Sequence, residues 1–194
     1  INLYYKADMA GDEPYWLAVN LNMCAVLTCA DRVKSAEYAI SELGVTKIIL
    51  DDGFQHRRMA RDLDIVLVDS EKMFGNENLL PAGPLREGME GFKRVDRLVI
   101  VSKNVDHSRA EKLARIMEKK QGISTFVAKV EPDYAYNIIT GELLPKDTTV
   151  TALSAIGQPE QFYQFLKDYD VVQTVTFDDH HQYAADDISS IEGN

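Results

Sequence analysis

The chain has 194 residues, 45% of them hydrophobic and 27% charged, which is a globular composition with enough length for one good core or two small ones. A net charge of −10 argues against nucleic acid as a partner, because affinity for a phosphate backbone rests on clustered Lys and Arg. Cys24 and Cys29, the two cysteines, are too few for a disulfide framework and have no neighbouring histidine to complete a zinc site, so they read as reduced, buried thiols.

No stretch approaches the roughly 20 apolar residues that span a bilayer, and no signal peptide opens the chain, so the expectation is a soluble, unexported piece. It begins at Ile1 rather than at a methionine and stops at Asn194 within a helix-like polar stretch, which reads as a fragment. In chain order, Gly11-Asp12-Glu13-Pro14 opens a helix with Pro14 at its first position, followed by Tyr15 and Trp16 as core aromatics. Residues 24–28 form an apolar run that suits a strand. Asp31 to Leu43 places Val33, Ala36, Ala39, Ile40 and Leu43 at helical spacing, with Gly44 as the C-cap. Further apolar runs at 47–50, 64–68 and 97–101 suit strands covered on both faces, and with the helix they imply β-α-β units and a parallel sheet.

Downstream, Ser108 to Lys120 is an amphipathic helix with Ser108 as N-cap, Glu111 at the capping-box position and Gly122 closing it. Runs 125–130 and 134–139 alternate more, and a Thr140-Gly141 turn leads into Leu143-Leu144, the pattern of an antiparallel ribbon. A strand over 150–153, a helix over 159–168 and a strand over 171–177 complete the reading. The expected class is α/β with a mostly parallel sheet. The expected division is a core over 1–128, a ribbon over 129–148 and the start of a second, smaller α/β layer over 149–194.

The strongest chemical signal is Asp51-Asp52-Gly53-Phe54-Gln55-His56, directly after the run 47–50. In open α/β sheets ligands bind at the carboxyl ends of strands, so two carboxylates there suit a hydrated Mg ion; the alternative is that they only cap a turn. Asp12 and Glu13 stand at a helix start, either as caps or, for Asp12, as a general base taking a proton from a sugar hydroxyl. In Asp178-Asp179-His180-His181, adjacent histidines point apart and are poorly placed to share a metal, but one of them can work with a distant aspartate.

The Gly/Pro-punctuated loop 74–88 carries Arg86, able to clamp a phosphate, and Glu87, able to accept from ribose hydroxyls or assist a metal; a surface ion pair is the plainer reading. His56-Arg57-Arg58 and Arg61 form a small basic cluster, either a solvated face or a surface meeting an anionic substrate.

Taken in order, Gly11 to Pro14, Asp31-Arg32, Asp51 to His56, Arg61 to Asp64, Leu79 to Glu87, Arg94-Val95-Asp96, Ile156 to Phe162 and Asp179-His180 resemble the tetraacyldisaccharide 4′-kinase family of lipid A biosynthesis. The resemblance implies a P-loop-kinase-like α/β/α fold with two domains joined by a ribbon. It also implies use of ATP and Mg to phosphorylate the 4′-hydroxyl of a lipid A disaccharide precursor at the cytoplasmic face of the inner membrane of a Gram-negative bacterium.

Carried over by motif, Asp12 matches the catalytic base and His180 its partner, with His181 the alternative. Asp51 and Asp52 match Walker-B-like metal-binding acids, and Glu13, Gln55, His56, Arg86 and Glu87 match substrate- or nucleotide-binding positions. No Gly-x-x-x-x-Gly-Lys-Ser/Thr occurs in these residues, although the family carries one before the segment matching Gly11. Contact with the membrane surface is likewise implied through regions absent here. A fragment without the phosphate-gripping loop is therefore expected to be inactive alone, and a Mg-dependent phosphohydrolase or a non-catalytic nucleotide or lipid binding module are the competing readings.

Overall fold

The computed structural model describes residues 5–103, 106–179, 181–189 and 191, in two compact units that divide between Asp64 and Ile65. Among its described residues the first unit holds three helices, α1 (Ala7–Ala10), α2 (Asp12–Asn20) and α3 (Arg32–Leu43). α3 forms where the periodicity predicts it. Asp31 caps its start by accepting from the Val33 amide at 3.1 Å, and Gly44 ends it in the left-handed conformation at φ 62°, which glycine adopts without steric cost.

α2 starts at Asp12, so Pro14 stands at its third position rather than its first. The predicted strands at 24–28 and 47–50 take no regular secondary structure and belong to no sheet among the described residues. Leu27, Ile48 and Ile49 are exposed, Ile49 at 95%, while Val26 and Leu50 are half-buried. Trp16 and Cys24 are exposed as well, against the expectation of a core aromatic and a core thiol, since Ala39 is the only buried hydrophobic side chain described in this unit.

The second unit is built on parallel strands. β1 (Ile65–Asp69), β2 (Arg97–Ser102) and β3 (Ser124–Lys129) lie side by side in that order, with Val68 opposite Ile100 and Ile100 opposite Val127. Alternation along β2 turns Leu98, Ile100 and Ser102 to one face, where α4 (Ser108–Gln121) supplies Ala110, Ala114 and Met117. Small residues on α4 let it sit close to the sheet. Leu98 and Ile100 are fully buried there, each stabilising the fold by about 1.5–3 kcal/mol.

The opposite face of the sheet is less covered than its apolar runs suggest: Leu67 and Phe126, either side of Val99 in register, are 65% and 55% exposed. α4 is capped by His107 and Asp106 rather than by Ser108, the Asp106 carboxylate accepting from the Ser108 amide at 2.9 Å. Residues 125–130 do not enter a ribbon. They form β3, parallel to β2, because alternation alone does not specify the direction of the partner strand.

At the carboxyl rim of this sheet, Lys103 pairs with Asp69 at 3.4 Å, and His107 Nδ1 lies 2.9 Å from Ser102 Oγ. Beside them Arg109 donates to the Ser70 carbonyl at 2.9 Å. Beyond β3, a short hairpin around Tyr136 and Leu143 turns at Thr140-Gly141, and the Asn137 side chain accepts from the Ile139 and Thr140 amides. A second parallel pair follows, β4 (Thr149–Ser154) and β5 (Asp170–Thr176), connected through α5 (Pro159–Phe165), which ends three residues earlier than its predicted limit. Tyr163 of α5 ties this pair together, its hydroxyl 2.9 Å from Ser154 Oγ and 2.7 Å from Thr176 Oγ1. The last element among the described residues is α6 (Ala185–Ser189). The class is α/β with parallel strands in two sheets, as expected.

Candidate functional site

In the first unit, Asp12 and Glu13 occupy the first two positions of α2 and are both exposed. Acids there stand at the positive end of the helix dipole, a placement that stabilises the helix. Gly11, just before them, has φ 91°, outside the range most side chains adopt, so a glycine is what this entry into α2 requires.

Asp51 and Asp52 lie in a tight turn in which Asp52 takes φ 47°, and both carboxylates are exposed. Gly53 is buried with Leu50 packed over the space a side chain would need, so the turn is held against the preceding apolar run. Gln55 and His56 continue it and are exposed.

One residue fixes the geometry of this turn. Arg61 donates to the His56 carbonyl at 2.8 Å and more weakly to the Gly53 and Met59 carbonyls, while its Nε lies 2.7 Å from Asp64 Oδ1. Both side chains of that pair are mostly buried, at 14% and 15% exposure, so Arg61 is a scaffold for the loop and not part of a solvated basic face. Arg58, by contrast, is exposed and approaches Asp31 at 3.9 Å. A cavity of about 290 Å³ brings His56 together with Arg32, Arg58, Asp31, Ala30 and Met59, a mixed lining that leans cationic.

Oxygen ligands from one or two carboxylates suit Mg, which keeps most of its waters, and the exposed Asp51-Asp52 turn offers that kind of donor set. Among the described residues no three His, Cys, Asp or Glu side chains converge as a transition-metal site would require.

In the second unit, the loop after β1 is ordered by its own hydrogen bonds. Leu79 and Leu85 form an isolated parallel bridge, the Leu80 amide donates to the Leu85 carbonyl at 2.9 Å, and the Asn76 side chain donates to the Ala82 carbonyl at 2.9 Å. Leu80-Pro81 is a cis peptide. Arg86 leaves this loop exposed.

Glu87, next to it, is mostly buried, and one nitrogen of Arg94 donates to both of its carboxylate oxygens at 2.8 Å. Arg94 ends a 3-10 helix, Met89–Arg94, whose Phe92 packs edge-on against Phe74 and into the core. Sequence reasoning matched Arg94 to a family motif without giving it a partner. The available signal was its spacing from Glu87 across a glycine, Gly91.

His180 lies outside the described residues. His181 is engaged locally: its ring stacks on Phe177 at 4.4 Å, meets the edge of Tyr183, and its Nε2 lies 3.0 Å from Asp187 Oδ2. The Asp187 carboxyl is held below the usual carboxylate range by the Ala184 amide and by His181. Asp179, two residues before His181, is exposed and stands close to Gly157 in the loop after β4, where a side chain would come within 3.3 Å of its carboxylate.

Residues 2–194 match the family described as Tetraacyldisaccharide-1-P 4′-kinase. The chain belongs to this family. Among curated relatives, the Tetraacyldisaccharide 4′-kinase of Halothermothrix orenii is 34% identical over 98% of this chain and 54% of its own length. That of Bdellovibrio bacteriovorus is 32% identical over 97% and 57%, and that of a Shewanella species 38% over 92% and 49%. The chain thus spans about half the length of the curated relatives it matches. No solved structure gives a significant match. Membership accounts for the order of the motifs, and the parallel α/β architecture is consistent with the P-loop-kinase-like fold expected of the family. No helix among the described residues is long and apolar enough to cross a membrane.

Proposed function

We propose that these residues form the acid, base and loop portion of a tetraacyldisaccharide 4′-kinase, which transfers the γ-phosphoryl group of ATP to the 4′-hydroxyl of a lipid A disaccharide precursor. The observation that carries this reading is the family match over residues 2–194, which takes in both the Asp51-to-His56 turn and the Leu79-to-Glu87 loop in one chain. Phosphoryl transfer asks the protein mainly for positioning and charge neutralisation, and the residues supply groups for both.

In this proposal Asp12 accepts the proton of the attacking hydroxyl from its exposed place in the first turn of α2. His180 is its partner. Asp51 and Asp52 hold Mg, whose chemistry when bound is to neutralise charge on the transferring phosphates. Glu13, Gln55, His56, Arg86 and Glu87 bind substrate and nucleotide. Because the acceptor is a lipid, the reaction is assigned to the cytoplasmic surface of the inner membrane, with membrane contact made elsewhere than in these strongly acidic residues.

No Gly-x-x-x-x-Gly-Lys-Ser/Thr occurs among the 194 residues, so the triphosphate lacks the amides and lysine that cradle it in P-loop enzymes. The chain by itself is accordingly expected to show no 4′-kinase turnover with ATP, Mg and tetraacyldisaccharide 1-phosphate; measurable turnover by it alone overturns that part of the reading. In the full gene product containing this chain, Asp12→Ala is expected to abolish turnover while leaving ATP binding by calorimetry unchanged. Unimpaired turnover removes Asp12 from the mechanism.

A further inference from the structure

The contact between Glu87 and Arg94 has three features that an incidental surface ion pair lacks. One Arg94 nitrogen donates to both carboxylate oxygens at 2.8 Å, and the two side chains are only 17% and 28% exposed. Arg94 is anchored on both sides, by Phe92, which packs against Phe74 and the core, and by Val95, which is buried. The third feature is Gly91, buried in the 3-10 helix, where an added Cβ would sit 3.0 Å from Glu87 Cδ and 3.1 Å from Oε2. The helix therefore passes tightly against the Glu87 carboxylate, which a side chain at Gly91 would push aside by a few tenths of an ångström, and returns a guanidinium to it one turn later.

We infer that Arg94 is a positioning residue for the Glu87 carboxylate, and that Gly91 is kept free of a side chain so that the carboxylate can seat against Arg94. This rests on the reading of Glu87 as an active-site residue of a 4′-kinase. Arg94 has no direct role with substrate in this account. It sets the direction in which Glu87 presents its oxygens, and a displacement of about 1 Å at such a group is enough to cost on the order of 100-fold in rate. Arginine suits the task because its planar, permanently charged head is pre-organised, whereas a lysine reaches the same point with more freedom.

The test is a set of variants in the full gene product containing this chain, assayed with ATP, Mg and tetraacyldisaccharide 1-phosphate. Glu87→Ala and Arg94→Ala are each expected to lower kcat/KM by about 10- to 100-fold, and the double variant to be no worse than Glu87→Ala, since a positioning residue has nothing to do once its target is gone. Arg94→Lys should recover part of the loss. Gly91→Ala retains both charges and has no positive φ to strain, so it should lower kcat/KM by about 10-fold through displacement alone, with little change in the unfolding midpoint.

Full activity of Arg94→Ala beside an impaired Glu87→Ala overturns the inference and leaves the kinase reading intact. So does an additive loss in the double variant, which would assign Arg94 a separate role. Should Arg94→Ala fail to fold, Arg94→Lys and Gly91→Ala decide, and full activity in both overturns it. Full activity of Glu87→Ala removes Glu87 from the site and the inference with it, and an unmodified gene product without 4′-kinase turnover removes the kinase reading itself.

Discussion

The two compact units solve the problem of holding charged residues in place by different means. Residues 65–191 use packing: Leu98 and Ile100 are fully buried beneath Ala110, Ala114 and Met117, and the Glu87–Arg94 pair hangs from a short helix anchored in that core. Residues 5–64 have Ala39 as their one buried hydrophobic side chain among those described, and rely on local polar devices. Asp31 caps α3, and Arg61 gathers the Gly53, His56 and Met59 carbonyls while pairing with Asp64. The comparison separates a shape imposed by burial, which is cooperative, from one imposed by a few directed hydrogen bonds, which fails wherever one of them is removed.

The largest effect that sharpens this contrast is in the core. Ile100→Ala should destabilise the second unit by about 2–5 kcal/mol in denaturant unfolding, while Ile49→Ala, at a 95% exposed position, should change stability by less than about 0.5 kcal/mol. Equal losses at the two sites would erase the distinction between the units.

Next in size is Arg61→Ala, which removes the cation paired with Asp64 and the side-chain donor shared by three carbonyls, of which those of Gly53 and His56 still accept from the His56 and Met59 amides. A loss of roughly 2–3 kcal/mol is expected, with rapid amide exchange confined to the 51–64 loop. An unperturbed loop would show that Arg61 is not its scaffold.

A smaller effect is expected at Asp69. Burial pushes its carboxyl up, but the amides of Glu71 and Lys72 and the Lys103 ammonium outweigh that and hold it below the usual carboxylate value. A depressed folded-state pKa contributes stability that is present above the unfolded value and lost as pH falls through the folded one. Acid unfolding of the second unit should therefore begin below about pH 4, and Asp69→Asn should flatten that part of the profile. An unchanged acid limb would sink the assignment.

What the sequence made legible was whatever is decided locally. α3 and α4 were readable because helix periodicity, an aspartate or serine at the start and a glycine at the end lie within one segment, and both glycines do adopt the left-handed conformation. The N-cap of α4 is His107, one position before Ser108, because Asp106 and Ser108 are both competent acceptors and it is the Asp106 carboxylate that takes the amide of Ser108.

Strands were less legible because a strand needs a partner that its own residues do not specify. Residues 24–28 and 47–50 carry the same apolar signature as β2 yet join no sheet among the described residues, and 125–130 carry a ribbon-like alternation yet pair in parallel. For the candidate site, the residue types and their order were readable from motifs, whereas the supports were not. Arg61 and Arg94 act through carbonyls and carboxylates brought near by irregular turns, which leave no periodic trace in the sequence.

Parallel pairing gives the three-stranded sheet two unequal rims. All of its strands finish on the same side, where Lys103 meets Asp69, His107 meets Ser102 and Arg109 meets the Ser70 carbonyl, so that rim is stitched across by directional bonds. At the other rim the strands open on Ile65, Arg97 and Ser124, all exposed. Fraying thus has a direction, loosening from the amino-terminal ends inward, while the stitched edge keeps its spacing as the rest of the sheet breathes.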